Sequence, residues 1–323
     1  MDFNPSPHLL KPASVSRVML TVGAALIPAV IAYVVFFGPG ILRSLAIASV
    51  AALVFESLML HMRGKPLGLF LQDGSALLTA WLLALSLPPT APWWLLVVAV
   101  FFAIVVAKHL YGGLGQNPFN PAMVGFAVCI VSFPALMGQW PGVDAITAAT
   151  PLDHLKTALK LGEGHADVTS IVADQSIYGL VAGRGWEWIA AGYLVGGIVL
   201  VWLRIISWHI PVAFLGAVVL LSGGLWLFDS RAFASPLFHL FGGATLLGAF
   251  FIATDPVSGA TTPRGKLIFG AGCGLLEILI RVFGGYPDGL AFAVLLMNLC
   301  APVIDMFTQP PVFGAESSEK KSS

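Results

Sequence analysis

The chain has 323 residues, of which 58% are hydrophobic and only 10% charged, whereas a soluble domain typically carries about 25% charged residues. Sixteen basic and sixteen acidic side chains cancel, so no basic field exists to hold nucleic acid. Composition predicts a multi-pass membrane protein in contact with lipid, and the helix-length apolar runs that follow predict an all-α one.

The first sixteen residues, with Pro5, Pro7, His8, Lys11 and Pro12, lack a short apolar core followed by small residues, so a cleaved signal peptide is not expected. Apolar runs of roughly 20 residues then recur at 17–38, 41–62, 74–88, 92–110 and 121–139. Five more follow at 187–206, 209–228, 236–253, 265–283 and 289–308. The run 74–88 stops at Leu87-Pro88-Pro89 and 236–253 leads into Asp255-Pro256, so both are expected to be broken or half helices. Such breaks usually line a site.

The chain thus divides into an N-terminal segment 1–16, a five-span unit 17–139, a polar loop 140–186, a second five-span unit 187–308 and a polar tail 309–323. Placing the N-terminus in the cytoplasm leaves ten Lys and Arg residues inside, Arg63, Lys65 and Lys108 among them, against six outside. That bias predicts both termini in the cytoplasm and the 140–186 loop, with Asp144, Asp153, His154, Asp167 and Asp174, on the far side. Trp140, Trp186 and Trp188 flank the loop and read as interfacial anchors.

Cys129, Cys273 and Cys300 each stand alone in an apolar run, and the seven histidines form no pair at i, i+3 or i+4. Neither pattern suits a cluster, haem or metal site. The two units show a short internal match: Gly74–Ser86 overlays Gly243–Asp255 at one Gly, two Leu and two Ala. Asn117-Pro118-Phe119-Asn120-Pro121 likewise faces Asn298-Leu299-Cys300-Ala301-Pro302. An odd number of spans per unit would insert the two in opposite senses, as an inverted repeat.

Three polar segments interrupt the apolar background. Lys108 to Pro121 holds Gly112, Gly113, Gly115, Gln116, Asn117 and Asn120. Its glycines permit close backbone approach and its amides offer donors and acceptors, as a ring with imide edges would need; a helix–helix turn with capping amides would use the same residues. Ala253 to Gly265 centres on Asp255, which either caps the following turn or holds a cation with nearby carbonyls. Thr147-Ala148-Ala149-Thr150-Pro151 offers an accessible hydroxyl beside small residues, or a solvated turn.

Tyr111–Gly125, Phe251–Gly265 and Gly284-Gly285-Tyr286-Pro287-Asp288-Gly289 through Asn298 to Asp305 resemble the D subunits of Rnf electron-transport complexes. That family is itself similar to the B subunits of sodium-pumping NADH:quinone reductases. The resemblance implies ten transmembrane helices in two inverted repeats, an FMN joined through its phosphate to a threonine, and in related members a noncovalent riboflavin near the cytoplasmic side. It also implies a flavin transferase, since threonine is a poor spontaneous nucleophile, and partner subunits of the complex, including iron–sulfur and second flavin-carrying ones. The expected setting is the inner (cytoplasmic) membrane.

Ser258-Gly259-Ala260-Thr261 is the literal Ser-Gly-Ala-Thr signature, whereas Thr147-Ala148-Ala149-Thr150 has alanine in place of glycine. Topology favours Thr150, because the transferase works outside the cytoplasm and charge places Thr261 inside. Electrons are then expected to pass between FMN on Thr150 and a second flavin near Gln116, Asn117 and Asn120, coupled to Na⁺ or H⁺ movement, with no turnover by the isolated chain.

Glu56, Glu277 and Asp305 fall within predicted spans, and Asp73 and Asp255 near the ends of broken ones; these five are the candidate ion path. Glu56 and Glu277 could instead pair with Lys108 or Arg281, or snorkel. The rival readings are the quinone-reductase subunit and a cofactor-free channel of the urea or ammonium kind.

Overall fold

The computed structural model describes residues 15–142, 147–161 and 167–309. Residues 1–14 of the expected N-terminal segment, Asp144, His165 and the tail from Pro310 with Lys320 and Lys321 lie outside the described residues.

The first unit comprises α1 (Val15–Ala25), α2 (Ile27–Phe37), α3 (Gly40–Met62), a short α4 (Leu67–Leu71) and α5 (Ser75–Ser86). It continues with α6 (Trp93–Phe101), which runs on as a π-helical segment Phe102–His109, then α7 (Pro121–Ser132) and the single turn α8 (Pro134–Met137). A two-residue antiparallel ladder, β1 (Trp140–Pro141) with β2 (Thr147–Ala148), leads to α9 (Pro151–Leu161) and α10 (Val168–Val172). The second unit comprises α11 (Trp186–Trp202), α12 (His209–Phe228), α13 (Pro236–Phe241), α14 (Thr245–Leu247) with a π-helical segment Gly248–Ile252, α15 (Pro263–Phe283) and α16 (Leu290–Thr308).

Val15–Phe37 taken across Leu26, α3, α12 and α16 are each long and apolar enough to cross a membrane, and Ser75–Ser86, Trp93–His109, Pro121–Ser132 and Trp186–Trp202 are shorter apolar helices. The chain is an all-α membrane protein, consistent with the need of lipid-embedded backbone to satisfy its own hydrogen bonds. Many of the exposed large side chains are apolar, including Leu20, Val35, Val50, Leu220 and Phe307, as expected where lipid replaces water as solvent.

The structure adds detail to three sequence expectations. The stretch 140–186 is not simply a polar loop: α9 and α10 fold within it over a second apolar core of Leu152, Leu155, Val168, Ile171, Tyr178, Ala182, Ala234 and Phe238. The run 236–253 breaks at Gly242-Gly243, ahead of Asp255-Pro256, because Gly243 adopts φ 65° and turns the chain between α13 and α14. Trp140 and Trp186 are half-buried and meet edge to face with centroids 5.1 Å apart, so they form a collar inside the protein; only Trp188 is exposed.

Helices approach closely where small residues repeat one turn apart. Gly192 and Gly196 of α11 lie against the backbone of Ala29 and Ala25, and Gly270 and Gly274 of α15 against that of Ile210 and Phe214 in α12. A Cβ at any of the four would collide with backbone atoms, so backbones rather than side chains set these interhelical distances. The first pair joins the two units and the second holds the second unit together, where α12 packs along α15.

Buried charges are the other organising feature. Lys108, 1% exposed, donates to Glu56 Oε1 and Oε2 at 2.8 and 2.9 Å and to Ser75 Oγ at 2.9 Å. His109 Nε2 lies 2.9 Å from Glu56 Oε2. At the other end of the helices, fully buried Glu277 pairs with Arg281, whose Nη2 also reaches Thr245 Oγ1 at 2.9 Å and Asp288 Oδ1 at 3.1 Å. Both clusters sit where a helix starts after a left-handed glycine, Gly74 (φ 76°) before α5 and Gly243 (φ 65°) near α14. The first backbone N–H groups there are capped by carboxylates: Ser75 N by Asp73 and Ala244 N by Asp288. The pairing alternative for Glu56 and Glu277 is thus the one observed.

The α9 helix is clasped to the membrane part by Lys156, whose Nζ donates to Arg281 O at 2.9 Å and Tyr286 O at 2.6 Å, at the C-terminal end of α15. Burial, then the neighbouring Lys160, pulls this ammonium down from the usual 10.5 to about 8. A depressed lysine pKa means that folding disfavours the charged form. Docking of α9 should therefore strengthen as pH rises from about 8 to about 10.5 and stay flat below 8, which hydrogen exchange of the α9 amides across that range would test. Lys108→Met should cost up to about 3–5 kcal/mol by leaving Glu56 with His109 as its remaining partner, and adding Glu56→Gln should recover most of it, both read from unfolding of the detergent-purified protein.

Candidate functional site

Two cavities open between the units, one at each end. The one with the larger empty volume, about 1060 Å³ including the part open to solvent, lies beneath α9. Its mouth is formed by Thr150, Asp153 and Asp288, its collar by Trp140 and Trp186, and its walls by Leu85, Met123, Ile130, Leu247 and Leu290. Tyr33 of α2 and Tyr193 of α11 also face it.

Thr150 is positioned by helix initiation. Its Oγ1 accepts from Asp153 N at 3.2 Å and its carbonyl accepts from His154 N at 2.8 Å, so it is the N-cap of α9 with Pro151 at the first helical position. The string Thr150-Pro151-Leu152-Asp153 is a helix-start pattern legible in the sequence but not used there. Thr261 is placed otherwise: its hydroxyl donates to Asp305 Oδ2 at 2.8 Å and its N–H to Asp305 Oδ1 at 2.9 Å, and neither cavity includes it.

The smaller cavity, about 870 Å³, lies at the opposite end and is lined by Ser75, Leu82, Lys108, Asn117, Asn120, Phe251 and Asp255 among others. The expected amides divide here. Asn117 and Asn120 are buried in its lining, whereas Gln116 is exposed and outside it. Much of the amide chemistry is already engaged: Asn117 Nδ2 donates to Phe119 O at 3.0 Å, and Asn120 donates to Ile252 O at 3.1 Å while its Oδ1 accepts from Met123 N at 3.2 Å. Asn120 N in turn donates to Asn298 Oδ1 at 3.0 Å, and Asn298 Nδ2 to Ser258 O at 2.9 Å. These amides bind the two units together at the cavity's edge.

Little separates the two cavities. Met123 lines the larger and its neighbour Ala122 the smaller; Leu85 and Leu82, one turn apart on α5, divide likewise. Tyr193 of the larger meets Phe251 of the smaller with ring centroids 6.0 Å apart.

Each of the five acidic residues singled out from the sequence has a protein partner. Glu56 holds Lys108, Glu277 holds Arg281, Asp73 accepts from Ser75 N at 2.7 Å, and Asp305 accepts from Thr261. Asp255 accepts from Ser258 Oγ at 2.7 Å and Val257 N at 3.2 Å, the turn-capping role, while also lining the smaller cavity. Among the described residues no cluster of three or more His, Cys, Asp and Glu suits a metal ion.

The family described as NQR2, RnfD, RnfE matches residues 2–314 of the chain. The D subunit of an ion-translocating oxidoreductase complex from Yersinia pseudotuberculosis serotype O:1b (strain IP 31758) is 48% identical over 356 residues, covering 99% of this chain and 100% of the relative. Proteins of the same description from Erwinia tasmaniensis and Pseudomonas aeruginosa (strain LESB58) are 46% and 47% identical, over 96% and 98% of this chain and 97% and 96% of theirs. With matches of this extent, the chain belongs to the NQR2, RnfD, RnfE family.

Proposed function

We propose that this chain is a flavin-carrying, inner-membrane subunit of an ion-translocating oxidoreductase complex, holding FMN as a phosphoester on Thr150 and a noncovalent riboflavin in the smaller cavity. The observation that carries the reading is the pair of back-to-back cavities with Thr150 at the mouth of one. Two separate clefts with Thr150 lining one of them suit a cofactor carrier better than a cofactor-free channel, and the relatives' names favour an oxidoreductase subunit over a pore.

The residues present fit the groups proposed. Esterification of Thr150 would put phosphate beside the first N–H groups of α9, where the helix end favours an anion. The apolar cleft behind it suits a flat aromatic ring. Thr261, already committed to Asp305, is the poorer acceptor despite its literal signature. Asn117 and Asn120 would border the second ring, with Gln116 outside the cavity. Bound flavins would supply one- and two-electron transfer, and the protein would position them and exclude water. Tyr193 of one lining and Phe251 of the other meet between the two sites with ring centroids 6.0 Å apart.

The proposed topology is ten spans in two inverted five-helix units with both termini cytoplasmic, so that α9 and Thr150 face outward. Support comes from the bias of positive residues, from the aligned left-handed glycines Gly74 and Gly243 and from buried clusters at opposite ends. Partner subunits with iron–sulfur and flavin groups would deliver and take electrons, since no metal-ligating cluster of three or more His, Cys, Asp and Glu is found among the described residues. Na⁺ or H⁺ coupling would use the acidic residues named above, with Glu56 and Glu277 as fixed counter-ions to Lys108 and Arg281.

The test is mass spectrometry of the peptide containing Thr150 after co-production with the flavin transferase. An FMN-sized addition is expected there, lost to background in Thr150→Ala and retained in Thr261→Ala. An unmodified Thr150 in fully matured protein, or the adduct on Thr261, would overturn the assignment.

A further inference from the structure

The larger cleft has a polar mouth, an apolar wall and two buried polar atoms that nothing in the structure explains. Tyr33 and Tyr193 are 1% and 4% exposed, both line the cleft, and neither hydroxyl oxygen has a hydrogen-bond partner among the described residues. Other polar groups of the lining are occupied: Ser86 bonds Leu82 O at 2.8 Å, and Asp288 is held by Arg281, Ala244 N and Leu290 N. Burying a phenol hydroxyl without a partner is unfavourable, and more so in lipid, where water cannot supply one. The two residues reach this one lining from different helices with their hydroxyls unpaired, which points to a ligand that satisfies them.

Position sharpens the point. Tyr193 is seven residues into α11 from Trp186, about 10 Å below the collar, and Tyr33 is four residues before Phe37 at the same end of α2, about 6 Å below it. Tyr33 is braced edge-on by Trp186 with centroids 6.0 Å apart, and Tyr193 by Phe251. Neither ring can swing away to find another partner without breaking these contacts. Each hydroxyl can donate one hydrogen bond and accept others. A cyclic imide edge presents two carbonyl acceptors flanking one N–H, which two phenol hydroxyls complement.

We infer that Tyr33 and Tyr193 are the recognition pair of the larger cleft, donating through their hydroxyls to the carbonyl edge of the heterocycle tethered at its mouth; this rests on the flavin reading above. Phenol donors facing ring carbonyls favour the reduced form, in which those oxygens carry more negative charge. The pair would thereby both orient the ring and raise its potential.

The experiment uses the matured full-length protein, co-produced with its flavin transferase, as wild type, Tyr33→Phe, Tyr193→Phe and the double variant. Tyr178→Phe serves as control, because that hydroxyl lies outside the cleft and bonds His154 Nδ1 at 3.0 Å. With the Thr150 adduct present in all, each cleft variant is expected to shift the visible flavin band and to lower the reduced-to-oxidised ratio at fixed potential. The double variant should lower it at least tenfold, which is about 30 mV for a two-electron couple. In a Thr150→Ala background without flavin, the same Phe substitutions should leave the unfolding temperature unchanged or raised, since they delete unpaired hydroxyls. A double variant with the adduct intact but wild-type band and potential overturns this inference and leaves the tether standing. Absence of the adduct from wild-type protein overturns both.

Discussion

Charge inside a lipid-facing helical bundle has to be paired, and the two buried cation–carboxylate clusters are the constraint around which the rest is arranged. An unpaired Lys108 or Arg281 at these depths would cost several kilocalories, about 2.5 kcal/mol or more even on permissive scales. Glu56 and Glu277 remove that penalty, and each cluster recruits a hydroxyl from the start of a neighbouring helix, Ser75 of α5 and Thr245 of α14. The same clusters therefore fix where the half-helices begin. Because those starts border the two cavities, charge pairing, helix breaks and cavity placement are one geometric decision, not three.

Some of this was legible in the residues and some was not. Apolar runs located helices well, since lipid imposes the run length directly. A break in the run 236–253 was expected from Asp255-Pro256, but its position at Gly242-Gly243 was hidden because glycines are tolerated inside apolar helices, and only the backbone angle reveals the turn. The α9 helix was masked by its polar context, although Thr150, Pro151 and Asp153 at its start and Leu152 and Leu155 on one face carry the helical signal. Glu56 needed a partner on physical grounds, but that the partner is Lys108, 52 positions away, depends on how α3 and the Phe102–His109 segment pack. Gln116 and Asn117 are adjacent and chemically alike, yet one is exposed and the other lines a cavity. No composition rule separates them.

The interface between the units is built from backbone contacts and amides more than from large side chains. Gly192 and Gly196 admit α1 and α2, while Asn120 and Asn298 cross-link α7 to α16. This economy of volume leaves room for a cleft on either side. It also makes the seam stiff, because backbone contacts have no rotamers with which to adjust.

Arg281 has two attachments of different kinds. Its guanidinium holds Glu277 and Asp288, and its main-chain oxygen receives Lys156 from α9. The peripheral helix and the ionic interior accordingly share one mechanical anchor.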